Sequence, residues 1–172
     1  MTHSLQLETP RLILRPARDS DRAPYAAMNA DPAVMTYFAS PMTREESDAS
    51  LARFQAAYER DGFGFLTAEL RSTGAFAGII GAQTMRDAVP NLPQPAIEIG
   101  WRLPRALHGQ GLATEGARAT VDFCFNQLNL PAAGLPDHYT WSHLDAPVEF
   151  NSGKTLTTIT LPPYATFITG LQ

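Results

Sequence analysis

Residues 108–114 read HGQGLAT and follow PAIEIGWRL (95–103), a run with the alternation of a strand. Gly109 and Gly111 bracket Gln110 at the mouth of a predicted helix. The first N–H groups of a helix have no partner inside it, and they lie at the positive end of its dipole. Two glycines there remove side chains, so the backbone of 109–114 can approach a bulky anion closely. This combination reads as a phosphate or pyrophosphate cradle, with the Thr114 hydroxyl as a further contact. A plain loop with helix-starting glycines carries the same letters, and spacing alone does not separate the two readings. No Gly-Lys-Ser/Thr follows, so this is not a Walker loop. Gly116 stands five residues after Gly111, and the preceding strand belongs to an antiparallel run, so the dinucleotide fingerprint fits badly.

A cradle needs a strand before it and a helix after it. In PAIEIGWRL, Ile97, Ile99 and Trp101 alternate against Glu98 and Arg102. Gly100 inside that run predicts a bulge or a close backbone approach, and Pro104 closes the strand. A helix over about 112–128 carries Leu112, Ala113, Ala117, Val121, Cys124, Phe125 and Leu128 as its apolar stripe. Upstream, RLILRPA (11–17) reads as a strand, and Asp19 and Ser20 offer caps for a helix over about 20–30. Thr43 and Glu46 form a capping box for a second helix whose stripe is Leu51, Phe54, Ala57 and Tyr58, ending near Gly62. GFLTAEL and AFAGIIGAQTM, joined by RSTG, read as a hairpin, and 87–95 is a loop with three prolines.

The chain has 172 residues, the size of one ordinary domain with a real core. Hydrophobic residues make up 44% and charged residues 17%, a globular composition. No apolar run approaches the roughly 18 residues of a spanning helix, so no membrane partner is expected. The start, MTHSLQLETPRL, lacks the pattern of a secretory signal, and the lone Cys124 makes no internal disulfide. Together these favour the cytoplasm. A net charge of −4 argues against a nucleic-acid surface. No His/Cys cluster has metal spacing, and Cys124 lies on an apolar stripe with no paired His, as a core residue does.

The succession LETPRLILRPA, two capped helices, a hairpin, AIEIGWRL and HGQGLATEGARATVDFCF resembles the GNAT superfamily of acetyl-CoA-dependent N-acetyltransferases. It is most similar to the branch that includes the ribosomal-protein N-terminal acetyltransferases. The likeness covers about residues 6–130. The family loop, Gln/Arg-x-x-Gly-x-Gly/Ala, falls here on His108, Gly111 and Ala113, and its first position departs from the pattern. The resemblance implies an α/β fold: a mixed, mostly antiparallel central sheet with flanking helices. It implies acetyl-CoA as co-substrate, its pyrophosphate held by the backbone of Gly109, Gln110, Gly111, Leu112, Ala113 and Thr114. It implies that the strand ending at Leu103 pairs with the pantetheine arm and splays from its neighbour to make the slot. The acceptor amine then attacks the thioester directly, with backbone amides near the bulge stabilising the oxyanion. An amine is mostly protonated at neutral pH, so a base helps. Glu98 is the carboxylate of choice, and a solvated strand residue is the competing reading. His108 is an alternative proton acceptor or a packing residue, and Arg102 and Arg105 either neutralise CoA phosphates or are surface charge. Trp101 reads as core or pantetheine-facing.

The last 42 residues read differently. Residues 1–130 contain twelve Arg and no Lys; residues 131–172 contain no Arg, the one Lys (Lys154) and seven Thr. This divides the chain into 1–130, the acetyl-CoA-binding region, and 131–172, a divergent β-rich segment that either completes the same domain or is foreign to it. The Asn-x-x-Ser helix and Lys-x-Gly-Phe turn of the family are not recognisable; Asn151, Ser152, Gly153 and Lys154 echo them without the spacing, and Tyr139 and Tyr164 are general-acid candidates by type only. In one account, 138–145 pairs beside 95–103 and 155–170 forms a closing hairpin. In the other, the strand 95–103 is an exposed edge, prone to association. Three functions follow: an N-acetyltransferase acting on a peptide N-terminus or small-molecule amine, with a homodimer among its allowed assemblies; a non-catalytic or defective CoA-binding relative; and an interaction module using the exposed sheet edge.

Overall fold

RLILRPA folds into strand β2 (Leu12–Arg15), paired with a short β1 (Leu7–Glu8). The computed structural model describes residues 5–85 and 96–128 and the backbone of 166–170. Helices α1 (Arg22–Ala30) and α2 (Arg44–Asp61) follow β2. Strands β3 (Phe65–Leu70), β4 (Phe76–Thr84) and β5 (Ala96–Arg102) come next, then α3 (Leu112–Asn126) and β6 (Thr166–Gly170). The strands form one sheet in the order β1-β2-β3-β4-β5-β6, each antiparallel to its neighbour. The expected α/β class is therefore present, built on an antiparallel sheet.

Local chemistry accounts for the helix ends. At α2 the capping box forms: the Glu46 amide donates to Thr43 Oγ1 at 3.2 Å, and the Thr43 amide donates to Glu46 Oε2 at 2.7 Å. At α1 the expected caps, Asp19 and Ser20, lie instead in a 3-10 turn, and Asp21 precedes the helix without capping it. The Asp21 carboxylate is committed elsewhere: it accepts from Arg15 at 2.7 and 3.0 Å and from the Arg18 amide at 2.8 Å. Arg15 also donates to Glu69 at 2.8 Å, which ties β2 to β3. Burial opposes ionisation of Asp21, but the hydrogen bonds from Arg15 and Arg18 outweigh it and hold its pKa below the usual 3.8.

Strand alternation sorts the two faces. Helix α3 packs on one face, where Leu12, Ile80, Ile97, Ile99 and Trp101 are buried with Leu112 and Phe123. Helices α1 and α2 cover the other, with Tyr25, Met28, Leu51 and Ile79. A Cβ at Gly116 would lie 2.5 Å from Ile80 Cδ1, so this glycine lets α3 rest directly on β4. The buried face of α3 is Leu112, Gly116, Ala117, Thr120, Phe123 and Cys124. Phe123, rather than the expected Phe125, faces the core, because the 3.6-residue period runs through Gly116 and Thr120, which carry little hydrophobic signal.

Two expectations at β5 are corrected. Its ladder to β4 runs without a break from Ile79↔Arg102 to Thr84↔Ile97, so no bulge lies at Gly100. Gly100 is needed for space: a Cβ there would sit 3.0 Å from the Phe65 ring. The register shift falls between β3 and β4, at Ala68/Glu69. Second, the strand beside β5 over Ala96–Gly100 is 166–170, paired from Ala96↔Gly170 to Gly100↔Thr166. That edge is thereby occupied over Ala96–Gly100 and is not the exposed template of the second account. Residues 138–145, the hairpin partner of β6, the 87–95 loop, Tyr139, Tyr164 and 151–154 lie outside the described residues.

Candidate active site

The ladder between β5 and β6 ends at Gly100. Trp101 and Arg102 continue β5 beyond it, and Pro104 follows Leu103. A 3-10 turn over Arg105–Leu107 then reverses the chain, with the Leu107 amide donating to the Pro104 carbonyl at 2.9 Å. His108 leaves that turn extended, and Gly109 and Gly111 take φ of 73° and 74°, the left-handed region. Glycines suit this conformation because they lack the Cβ clash. Packing does not demand them: among the described residues a Cβ at Gly109 would meet nothing within 4 Å, and one at Gly111 only Arg11 Nη2, at 3.6 Å.

Helix α3 starts at this loop with no side-chain cap. The contrast with α2, fully capped by Thr43 and Glu46, is direct. The N–H groups of Leu112, Ala113 and Thr114 are left by helix geometry without intrahelical partners. The loop is nevertheless fixed from behind. Arg11 Nη1 donates to the Gln110 carbonyl at 2.9 Å, and Arg11 Nε donates to Glu115 at 2.6 Å. The Arg11 amide and Thr9 Oγ1 donate to the other Glu115 oxygen at 2.8 and 2.6 Å. Burial opposes ionisation of Glu115, yet the bonds from Thr9 and Arg11 prevail and hold its pKa below 4.5. Gln110 folds back onto the Ala106 carbonyl at 2.9 Å. The result is a glycine-lined helix start without a side-chain cap, braced from behind by Arg11, at the positive end of the helix dipole, where anions are favoured.

The opposite face of β5 carries Glu98. Its carboxylate accepts from Gln83 Nε2 at 3.1 Å. It lines an open cleft of about 530 Å³ between α2 and the adjoining ends of β4 and β5. Five residues separate Glu98 from Leu103, about 16 Å along an extended strand. The glycine loop that opens α3 and a cleft lined by Glu98 thus lie towards the two ends of one strand, whose ladder to β6 stops between them at Gly100.

A family model, the acetyltransferase (GNAT) domain, matches residues 11–144. The chain belongs to the GNAT acetyltransferase family. It is 31% identical to the YkkB protein of Bacillus subtilis (strain 168) over 128 residues, 74% of this chain and 72% of that one. It is similar to the crystal structure of an acetyltransferase from Agrobacterium tumefaciens str. C58, with a TM-score of 0.63 and 31% identity over 76% of this chain and 72% of that one. A GNAT acetyltransferase from Bacillus anthracis shares the fold at 19% identity and a TM-score of 0.58, covering 73% of this chain and 69% of that one. So does a proposed ribosomal-protein-serine acetyltransferase from Vibrio cholerae, at 15% identity and a TM-score of 0.53, over 76% and 72%. The protein is an acyltransferase, and acetyl transfer is its general chemistry.

Within this GNAT acetyltransferase the expected residues divide. Gly109–Thr114 form the loop and first turn of α3, whereas the side chains of Trp101 and Leu103 are buried in the α3-side core. Arg102 points to the other face: its Nη1 donates to Asn29 Oδ1 at 2.6 Å, and its guanidinium lies 4.1 Å from the Phe38 ring centroid. Its side chain is thus turned towards α1 rather than the cradle. His108 Nε2 lies 2.9 Å from the Leu103 carbonyl, so it donates, and Nδ1 accepts from Arg105 Nη1 at 3.2 Å. Both ring nitrogens are engaged, which favours the packing role over proton acceptance. Cys124 is buried, and burial pushes its thiol pKa up to about 11, as suits a core residue. Among the described residues no His/Cys/Asp/Glu group forms a metal cluster, and no helix is long and apolar enough to cross a membrane. Sequence reading missed Arg11, Glu115 and Gln83, since their partners stand about 15 to 104 residues away and no local pattern announces them.

Proposed function

We propose that the protein is an N-acetyltransferase that moves an acetyl group from acetyl-CoA to a primary amine, either a peptide N-terminus or a small molecule. The observation that carries this reading is the uncapped mouth of α3, where two left-handed glycines follow the strand whose β6 ladder ends at Gly100. The pyrophosphate would be held by the backbone of Gly109–Thr114, with Gln110 and His108 shaping the loop. The main chain of Trp101, Arg102 and Leu103 would pair with the pantetheine arm. The side-chain engagement of Arg102 with Asn29 and Phe38 leaves its backbone as the contributor there. Residues 131–172 are read as completing the same domain, a reading supported by β6 joining the sheet.

Acetyl-CoA supplies an activated acyl carbon and a thiolate leaving group. The chain's part is to bind, orient and deprotonate. Glu98, held by Gln83, takes the proton as the amine nitrogen bonds to the acyl carbon and the carbon–sulfur bond breaks. An α-amine, with a pKa near ~8, presents a useful neutral fraction at pH 7, so this demand on Glu98 is modest. N–H groups of β5 where its outer ladder ends are the proposed donors to the oxyanion. The test is calorimetric titration with acetyl-CoA, followed by a thiol-release assay over peptide and small amines. Saturable binding with amine-dependent release is expected. No binding at millimolar acetyl-CoA overturns the reading; binding without release across the panel replaces it with a CoA-binding protein.

A further inference from the structure

The cleft beside Glu98 carries a charge pattern that the acetyl-transfer reading does not use. Its floor is apolar, formed by Phe54 and Ala57 of α2 and by Met85 after β4. Glu98 stands on one wall. Gln83 and Thr84 of β4 also line it, and on the α2 side stand Arg53, Ala56 and Arg60. Residues 53, 56, 57 and 60 lie at helical spacings of three and four, so they share one face of α2, and the two arginines are about 10 Å apart along its axis.

The two arginines are not equivalent. Arg60 is clasped by Asp61 through two bonds, of 2.6 and 2.5 Å, and its charge is answered. Arg53 is exposed and has no ion-pair partner among the described residues. Among the described residues the cleft therefore presents one half-buried carboxylate, an apolar floor and one unanswered cation. A neutral or dicationic amine would satisfy the carboxylate and leave Arg53 alone. An amine with an anionic group beyond an apolar body satisfies both ends.

We propose that the acceptor is a primary amine that carries its own anionic group, with the amine at Glu98, the apolar body over Phe54 and Met85, and the anion at Arg53. This rests on the proposed role of Glu98 in acetyl transfer and narrows its substrate class. Two sources share this chemistry: a free amino acid whose carboxylate stands beyond an apolar chain, and a peptide with an acidic side chain near its N-terminus.

The experiment measures amine binding by calorimetry to protein saturated with CoA, which cannot react. Each probe is paired with its neutral twin: 6-aminohexanoate against its amide, and an Ala-Glu-Ala peptide against Ala-Gln-Ala, both capped as C-terminal amides. The anionic member is expected to bind three- to tenfold more tightly, the range for one partly exposed ion pair, with the advantage shrinking as salt rises. The pair with the larger advantage identifies the source. Arg53→Gln, on an exposed helix surface, is expected to equalise both pairs with CoA affinity unchanged. Equal binding of twins by the wild-type protein, no binding of any probe, or an advantage that survives in Arg53→Gln overturns the inference. Thiol release from acetyl-CoA with a neutral amine under those outcomes leaves the acetyltransferase reading standing, whereas absence of acetyl-CoA binding removes that reading itself.

Discussion

Arg11, immediately before β2, grips Glu115 in the first turn of α3 across 104 residues of chain, with Nε 2.6 Å from the carboxylate. The pairing matters because an unanswered carboxylate at the mouth of α3 would repel the same anion that the helix end attracts. Arg11 cancels that charge and also holds the Gln110 carbonyl. Arg11→Ala is expected to weaken acetyl-CoA binding about three- to tenfold by calorimetry, because it both frees the loop and exposes the Glu115 charge. The pH dependence follows from Glu115, whose pKa is held below 4.5. A depressed carboxylate contributes fully above its unfolded value and loses that contribution as pH falls through the folded value. Folding stability is therefore flat in this respect above the usual carboxylate range and declines only in acid, which a melting series against pH checks.

Gly111→Val places a β-branched side chain at φ 74° in the cradle. The backbone strain is about 1–3 kcal/mol, which for a chain of this length lowers Tm by roughly 2–4 °C per kcal/mol. Gly74, at φ 72° in the turn between β3 and β4, separates strain from occlusion. Gly74→Val meets the same backbone penalty outside the loop. Similar Tm losses for the two variants are expected, with acetyl-CoA affinity reduced at least tenfold only in Gly111→Val. Equal affinities would remove the loop from donor binding.

Glu98→Gln preserves shape and the neighbouring Gln83 amide while removing the proton acceptor. A positioned general base contributes about 10²–10⁴-fold, so kcat should fall within that range and the acetyl-CoA Kd should stay within about twofold. Gln83→Leu removes the hydrogen bond that orients the carboxylate and should lower kcat less. An unchanged kcat in Glu98→Gln leaves the amine to lose its proton to water and makes Glu98 a wall of the cleft.

Most of the sheet and the helix order were legible because they rest on period. Ile97, Ile99 and Trp101 alternate as a half-buried strand must, and all three are buried. Thr43 and Glu46 predict a capping box that forms. The glycine pair announces the loop, since little else suits consecutive turns at its φ values. What failed depends on distance. Gly100 reads locally as a bulge or a close backbone approach; its reason is the Phe65 ring, which approaches from another strand. Arg102 reads either as a neutraliser of CoA phosphates or as surface charge, yet period two sends its side chain to the face of α1, where Asn29 accepts from it. The strand beside β5 comes from 166–170, and no local pattern distinguishes that Thr-rich run from its neighbours in the tail.

The Arg15–Asp21 pair fixes the corner where β2 hands over to α1, and it is almost wholly removed from water, with side chains 7% and 5% exposed. Asp21→Asn leaves the Arg15 charge buried with only Glu69 to answer it. Breaking one side of a buried pair costs about 3–5 kcal/mol, so a fall in Tm on the order of 10 °C is expected by calorimetry. The double variant Arg15→Met/Asp21→Leu removes both charges and should recover much of that loss, because the penalty lies in the orphaned ion more than in the lost attraction. The pH sign is set by Asp21, whose pKa is held below 3.8. The wild-type protein keeps the contribution above that value and loses it as pH falls through the folded one, while Asp21→Asn has none to lose. The wild-type and variant Tm values should therefore converge in acid; a gap that stays constant down to the lowest pH at which both fold would assign the loss to packing rather than charge.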